Sequence, residues 1–189
     1  MAFLNKEQLA ELGFKNLGDN VLISDKASFY GINRIEIGDN SRIDDFCILS
    51  AGIGGIKIGK NVHVACFSSL IGKDQITLED FANISSRVSF YSSNDDYSGD
   101  FLTGPTIPEK YRSYTNSPIT IGRHVIIGSG TVILPGVVIG GYSSVGALSL
   151  VRKSIPEFEI HAGVPAKFIK ERGRKMLELE KSYLSEGGR

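Results

Sequence analysis

Cysteine, early proline and charge of one sign are what this 189-residue sequence lacks. Its 2 cysteines, Cys47 and Cys66, are too few for a disulfide framework, and no CxxC spacing suggests a zinc site. Lys and Arg number 21, as do Asp and Glu, so the formal net charge is +0. No global field is available to hold nucleic acid or an anionic membrane. No run approaches the ~20 apolar residues of a membrane span. The first residues meet charge at Lys6 with no apolar stretch before it, which is not the pattern of a signal peptide. None of the 6 prolines precedes Pro105. With 41% hydrophobic and 22% charged residues, the composition predicts a globular cytoplasmic protein, and the length suits one domain over residues 1–189.

What the sequence does have is a period of six. Large side chains recur at Ile37, Ile43, Leu49, then Ile58, Val64, Leu70, then Leu78, Ile84 and Phe90. After an interruption the series resumes at Ile121, Ile127, Ile133, Ile139, Val145 and Val151. From Ile23, Ile37, Ile43, Ile58, Val64, Leu78 and Ile84, and again from Ile121 through Val145, the residue four positions on is small or β-branched, as at Ala27, Ser41, Cys47, Thr131 and Ser143. A period of six fits neither a helix nor a bare strand alternation. One large and one small inward position per six residues describes a short flat strand plus a turn. Three such units close a triangular coil, and stacked coils pair as parallel strands about 4.8 Å apart. Gly38, Gly59, Gly122, Gly128, Gly140 and Gly146 follow the aliphatics and are expected to supply permissive dihedrals at the corners. The early coils carry extra residues, as at Gly52-Ile53-Gly54-Gly55, while 121–156 runs without insertion. An all-β chain follows, a parallel β-helix over residues 21–156. A β-sandwich of evenly spaced strands would not repeat the small-residue position so strictly.

Three segments fall outside the repeat. Asn5-Lys6-Glu7-Gln8 reads as a capping box with Leu4 and Leu9 as a hydrophobic staple, and Gly13 stops that short helix. Residues 92–118 break the pattern with Asn94-Asp95-Asp96, three prolines and Tyr97, Tyr111 and Tyr114, which predicts a protruding binding loop. Residues 157–189 form a C-terminal segment, with a helix expected over 167–185, kinked or split at Gly173.

The run Pro118-Ile-Thr-Ile-Gly-Arg-His-Val-Ile-Ile-Gly-Ser-Gly-Thr-Val-Ile-Leu-Pro-Gly-Val-Val-Ile-Gly and the closing His161-Ala-Gly-Val-Pro-Ala-Lys167 resemble the galactoside and maltose O-acetyltransferase branch of the hexapeptide-repeat acyltransferases. The resemblance implies a left-handed parallel β-helix. It also implies a homotrimer with active sites between subunits, and acetyl-CoA or a longer acyl-CoA as co-substrate, with no permanently bound cofactor. On matched positions, Ser129 and Ala147 would contact the pantetheine through backbone groups. Arg152, Lys153, Lys167 and Lys170 would lie near the phosphates and adenine, which agrees with the attraction of a groove-end cation cluster for an anionic ligand.

One departure from that branch bears on the acceptor. The branch places a histidine just after the coil that ends here in Phe90, and in this chain the aligned residue is Asp95. A sugar hydroxyl needs a base poised near neutral pH, and an ordinary carboxylate, with a pKa of about 4, serves poorly. An amine, already partly neutral, attacks a thioester unaided and sheds its proton only from the tetrahedral adduct. The substitution therefore points to an N-acyltransferase resembling those that act on nucleotide-linked deoxyamino sugars in O-antigen and related surface-glycan pathways. A sugar or polysaccharide O-acetyltransferase is the alternative. Asp95 is the candidate catalytic group. Asn94 and Asp96 shape the turn on the substrate side, and Asn83, Ser85 and Ser86 lie one coil face earlier on the acceptor side. Two other classes were weighed: a zinc enzyme using His63, His124 and His161, which lack a closely spaced pair, and a non-enzymatic scaffold, which would need neither the acidic loop nor the basic C-terminal segment.

Overall fold

The computed structural model describes residues 3–187, so residues 1–2 and 188–189 of the expected domain lie outside it. Three parallel sheets form the faces of a triangular prism. The first face runs from Asn16–Leu17 to Val138–Ile139, and the third from Ser28–Tyr30 to Leu150–Val151. The second runs from Leu22–Ile23 through Ser144–Val145 to Glu159–Ala162. Successive strands of each face are one coil apart, as in Ile35–Ile37 on Ile56–Ile58 on Ile76–Leu78 on Ile119–Ile121. The parallel β-helix of hexapeptide repeats is thus the observed fold. Its first coil begins at Asn16, ahead of residue 21, and parallel pairing continues past 156 to Ala162.

The six-residue rule explains the interior. Ile37, Ile43, Leu49, Ile84, Phe90, Ile121, Ile127, Ile133 and Ile139 are all fully buried, and so are the small partners Ser41, Cys47, Ala82, Val125, Thr131 and Ser143. The inward hydroxyls are paired: Ser41 donates to Gly59 O (2.8 Å), Thr131 to Gly146 O (3.1 Å) and Ser143 to Pro156 O (2.6 Å), each in the next coil. A buried aliphatic contributes about 1.5–3 kcal/mol, whereas ordering each residue costs about 1–2 kcal/mol. One six-residue unit therefore cannot stand alone, and only the stack, with its shared core and strand pairing, is stable.

The corners correct the expectation about glycine. Gly38, Gly59, Gly122, Gly128, Gly140 and Gly146 do not have positive φ. Left-handed backbone falls two residues later, three after each aliphatic. Asn40, Phe46, Asn61, Phe67, Phe81, Arg87, His124, Tyr142 and Leu148 carry φ between 55° and 62°, and Gly130 and Gly136 do the same work. A side chain in this region costs about 1–2 kcal/mol, which stacking from coil to coil offsets. Phe81, His124, Tyr142 and Phe158 form a column of rings with centroids 4.6, 5.5 and 4.8 Å apart. The glycines serve close approach instead. A Cβ on Gly38 would lie 2.7 Å from the Gly59 carbonyl carbon, and one on Gly122 would lie 2.6 Å from the Gly141 nitrogen.

The ends are capped as their chemistry predicts at one terminus only. Helix α1 (Lys6–Glu11) has the reciprocal capping box between Asn5 and Gln8, both bonds 2.9 Å, with Leu9 buried. At the other end the helix expected over 167–185 is not found. Lys167–Glu171 is a strand folded antiparallel onto Glu159–Ala162, and helix α2 spans only Met176–Ser185. The hairpin partner supplies the Lys167–Glu171 backbone with cross-strand hydrogen bonds, which outweighs weak helix propensity in that stretch. Helix α2 is clamped to the ring column. Arg123 pairs with Glu180 and Asp80, His124 Nε2 lies 3.1 Å from Glu180 Oε2, and Tyr183 packs edge-on against Phe81.

Two outcomes follow for unfolding experiments. Gly122→Ala drives its methyl into backbone and should lose about 1–3 kcal/mol, several degrees of melting temperature. Gly173→Ala, with nothing within 4 Å of the added carbon, should leave the melt unchanged. The second outcome concerns pH. Burial, reinforced by Arg123 and Arg172 and opposed by Glu180, holds the His124 pKa below its ordinary 6.5. The unfolded chain then takes up a proton that the folded one resists, so stability is full above 6.5 and falls as pH drops through the folded value. Thermal melts should show a decline between about pH 7 and pH 5. His124→Asn should flatten it, since asparagine is the residue that the same corner accepts at Asn40 and Asn61.

Candidate active site

The break in the repeat builds a groove. Ser92 is fully buried and donates to Asp74 O (2.6 Å), while Ser117 N donates to Ser92 O (3.0 Å), so the loop leaves and rejoins the solenoid at one point. Its base is an antiparallel hairpin, Ser93–Asp95 with Tyr114–Asn116, in which Asp95 pairs with Tyr114. Between this hairpin and the third face lies a groove of about 710 Å³. Asn94 and Asp95 line one wall, Lys73, Arg112 and Tyr114 another, and Tyr91, Val132 and Leu134 form the floor.

The three residues of the acidic turn divide as their surroundings dictate. Asp95 is exposed and lines the groove. Asp96 does not: both its carboxylate oxygens accept from Ser98 Oγ at 2.9 Å and one accepts from Gly99 N at 3.1 Å. Those bonds, the Ser98 hydroxyl foremost, hold the Asp96 pKa below the usual carboxylate value. Asp96 is thus a turn residue and an even weaker base than a free aspartate, while Asn94 joins Asp95 on the groove wall.

Asn83, Ser85 and Ser86 are not part of this groove. Asn83 faces outward on the second face between His63 and Ile126. Ser85 and Ser86 stand at the corner between the second and third faces, where Gly130 N donates to Ser86 O (3.1 Å) and Leu148 N to Ser129 O (2.8 Å). Ser86, Ser129 and Ala147 therefore occupy successive coils of a single edge. The edge continues to the closing segment, where Leu150 N donates to Gly163 O (3.0 Å) and Ala166 N to Leu150 O (2.9 Å). There a second cleft of about 330 Å³ gathers Arg152, Lys153 and Lys167. Lys170 is not gathered with them; it pairs with Ile160, two positions further along the hairpin.

The histidines are scattered. His63 Nε2 is 2.8 Å from Asp44, His161 Nε2 is 2.6 Å from Glu159, and His124 sits in the ring column. None lines the large groove, and among the described residues no three His, Cys, Asp or Glu side chains are grouped to hold a metal ion. Reading the sequence missed Lys73, Arg112 and the floor. A signal for the floor was present: Val132 and Leu134 flank inward Ile133, and apolar residues at outward positions of a solenoid strand need a covering. Nothing in the sequence ties Lys73 or Arg112 to Asp95, because they meet only through the hairpin.

Comparison with known proteins agrees with this geometry. The family described as bacterial transferase hexapeptide (six repeats) matches residues 118–153. The dTDP-4-amino-4,6-dideoxy-D-glucose acyltransferase of Escherichia coli is 51% identical over 97% of this chain and 95% of its own length. AntD, an N-acyltransferase from Bacillus cereus solved in complex with dTDP and 3-hydroxybutyryl-CoA, superposes with a TM-score of 0.92 at 45% identity, covering 99% of this chain and 98% of its own. The galactoside O-acetyltransferase of Escherichia coli K12 is 33% identical over 71% of this chain and 63% of its own length.

Proposed function

The chain belongs to the hexapeptide-repeat acyltransferases, and from that premise we propose that it moves an acyl group from CoA to the 4-amino group of dTDP-4-amino-4,6-dideoxyglucose or a close relative. The observation that carries this is Asp95, on the wall of a groove that no histidine lines. AntD has been solved with substitutions at an aspartate and at a serine, the residue types that Asp95 and Ser85 offer here.

The chemistry matches the residues. The neutral amine attacks the thioester carbonyl, and an N–C bond forms as the carbonyl becomes an oxyanion. Collapse of the adduct breaks the C–S bond and expels the thiolate of CoA. The nitrogen's excess proton leaves through Asp95, which first holds the amine by a charge-assisted hydrogen bond, and it ends on the departing sulfur. Arg152, Lys153 and Lys167 hold the phosphates of CoA, which lies along the Ser129 and Ala147 edge with acetyl or a longer acyl chain at its tip. No permanently bound cofactor is needed.

The same reading makes the enzyme a homotrimer with sites between subunits. Within one protomer the Ser86–Ser129–Ala147 edge and the Asp95 groove border opposite sides of the third face, separated by the extended stretch from Val88 to Ser92, about 15 Å. A neighbouring copy's edge brought against the groove closes that gap. Phe46 and Phe67, each about half exposed and stacked 5.0 Å apart, continue the edge with Leu148 as an apolar strip suited to a subunit contact. Residues 1–189 act as one acyltransferase domain. A cytoplasmic site and a role in O-antigen or related surface glycans fit a nucleotide-sugar substrate and a chain with no helix, among the described residues, long and apolar enough to cross a membrane.

Asp95→Asn should lower kcat by about 10²–10⁴-fold with little change in CoA affinity, and Asp96→Asn should act less. Full activity of Asp95→Asn, or faster acylation of hydroxyl sugars than of matched amino sugars, would return the protein to O-acetyl transfer. Lys153→Glu and Lys167→Glu should weaken CoA binding at low salt, by calorimetry, more than Lys170→Glu does. Unchanged affinity in the first two would show that CoA lies elsewhere.

A further inference from the structure

The groove carries more charge than amine transfer requires. Opposite Asp95 it holds two cations, Lys73 and Arg112. Arg112 has extended backbone (φ −112°, ψ 150°) two residues before Tyr114, so both side chains leave the chain on one side, and the guanidinium carbon lies 6.0 Å from the Tyr114 ring centre. Tyr114 is in turn the cross-strand partner of Asp95, which puts all three side chains on the groove face of the hairpin. Lys73 reaches the same tyrosine from the solenoid. Its ammonium makes a short contact with the Tyr114 hydroxyl, lies 4.1 Å from the ring centre and 3.7 Å from the mostly exposed Glu109 carboxylate. The Tyr114 hydrogen bond, with Glu109 behind it, raises the Lys73 pKa, so the ammonium stays charged.

Arg112 is the more telling of the two. Its Nη1 donates to Gly104 O at 3.3 Å, but its Nε is buried and has no hydrogen-bond partner among the described residues. A buried guanidinium N–H is costly to leave without an acceptor. The nearby carboxylates do not supply one: Asp95 is exposed on the neighbouring strand, and Glu109 accepts from Tyr114 at 3.2 Å.

A pyranose with its C4 amine on Asp95 points C1, across the ring, toward these cations. We propose that Arg112 and Lys73 form the diphosphate subsite of the groove. Arg112 Nε donates to one phosphate oxygen, and Lys73 exchanges the Glu109 carboxylate for another. This rests on the nucleotide-sugar reading above and deepens it. The subsite selects a nucleoside-diphosphate sugar over a free amino sugar, because only the former answers both the carboxylate and the cations.

The test is calorimetric titration of the full-length protein with dTDP and, separately, with thymidine. Wild type should bind dTDP more tightly than thymidine, with an affinity that falls as salt rises. Arg112→Gln and Lys73→Gln should each weaken dTDP by about tenfold or more while leaving thymidine binding unchanged. Unaltered dTDP affinity in both variants overturns the subsite and leaves the acyl-transfer reading standing. Equal loss of dTDP and thymidine in Arg112→Gln overturns its role as a phosphate ligand. Should Arg112→Gln fail to fold, Lys73→Gln, at a partly exposed position, decides alone. Failure of wild type to bind dTDP at millimolar concentration overturns the nucleotide-sugar reading and the subsite together.

Discussion

Each coil of this chain must come back, after three strands and three corners, to a point one strand spacing, about 4.8 Å, from where it began, and the other features of the molecule answer to that closure. The corners must bend sharply, so the third residue after each inward aliphatic takes left-handed backbone whatever its side chain, asparagine, phenylalanine, histidine or tyrosine. The next residue points inward at the tightest part of the prism and must be small, and where it is serine or threonine its hydroxyl bonds to a carbonyl in its surroundings. The residue just after the aliphatic faces the coil below at less than the room a Cβ needs, and glycine stands there six times. The strain of the bends is met by columns of like residues, the rings from Phe81 to Phe158 being the longest.

Closure also explains how a fold made of identical units acquires a site. Outward positions of successive coils form columns by construction, so Ser86, Ser129 and Ala147 line up along an edge without any contact designed among them. Such an edge is straight and repetitive and can follow an extended ligand, but it offers no concavity. The concavity comes from the single place where closure is suspended. Between Ser92 and Ser117 the chain leaves the prism and folds a hairpin of the opposite pairing sense. That hairpin covers the outward apolar residues of the third face and sets Asp95, Tyr114 and Arg112 over them. A rigid solenoid supplies the floor and a local antiparallel element supplies the charged groups.

The charge in the groove then fits the acceptor. An exposed aspartate is a poor base for an alcohol but a good partner for an ammonium, and it removes a proton easily once that proton sits on an acylated nitrogen. Asp96, one residue on, is excluded from this role by the Ser98 hydroxyl and Gly99 amide that bind it. Adjacent aspartates thus serve different ends because their hydrogen bonds differ, not their chemistry.

By itself the sequence determined the prism, its inward residues and the place where it breaks, because a six-residue period is local and each inward side chain feels the same surroundings. The departure at Asp95 was legible for the same reason: it lies at a fixed distance from the last regular coil. The corner glycines were misassigned, since whether a position needs positive φ or close approach depends on the neighbouring coil rather than on its own segment. The strand at Lys167–Glu171, expected as helix, likewise depends on Glu159–Ala162 as its partner. That dependence is why Lys167 joins Arg152 and Lys153 while Lys170 does not. Only the tertiary structure brought Lys73 and Arg112 to the groove of Asp95. They lie 22 residues before and 17 after it in the chain, and the contact exists only once the solenoid has stacked and the hairpin has closed against it.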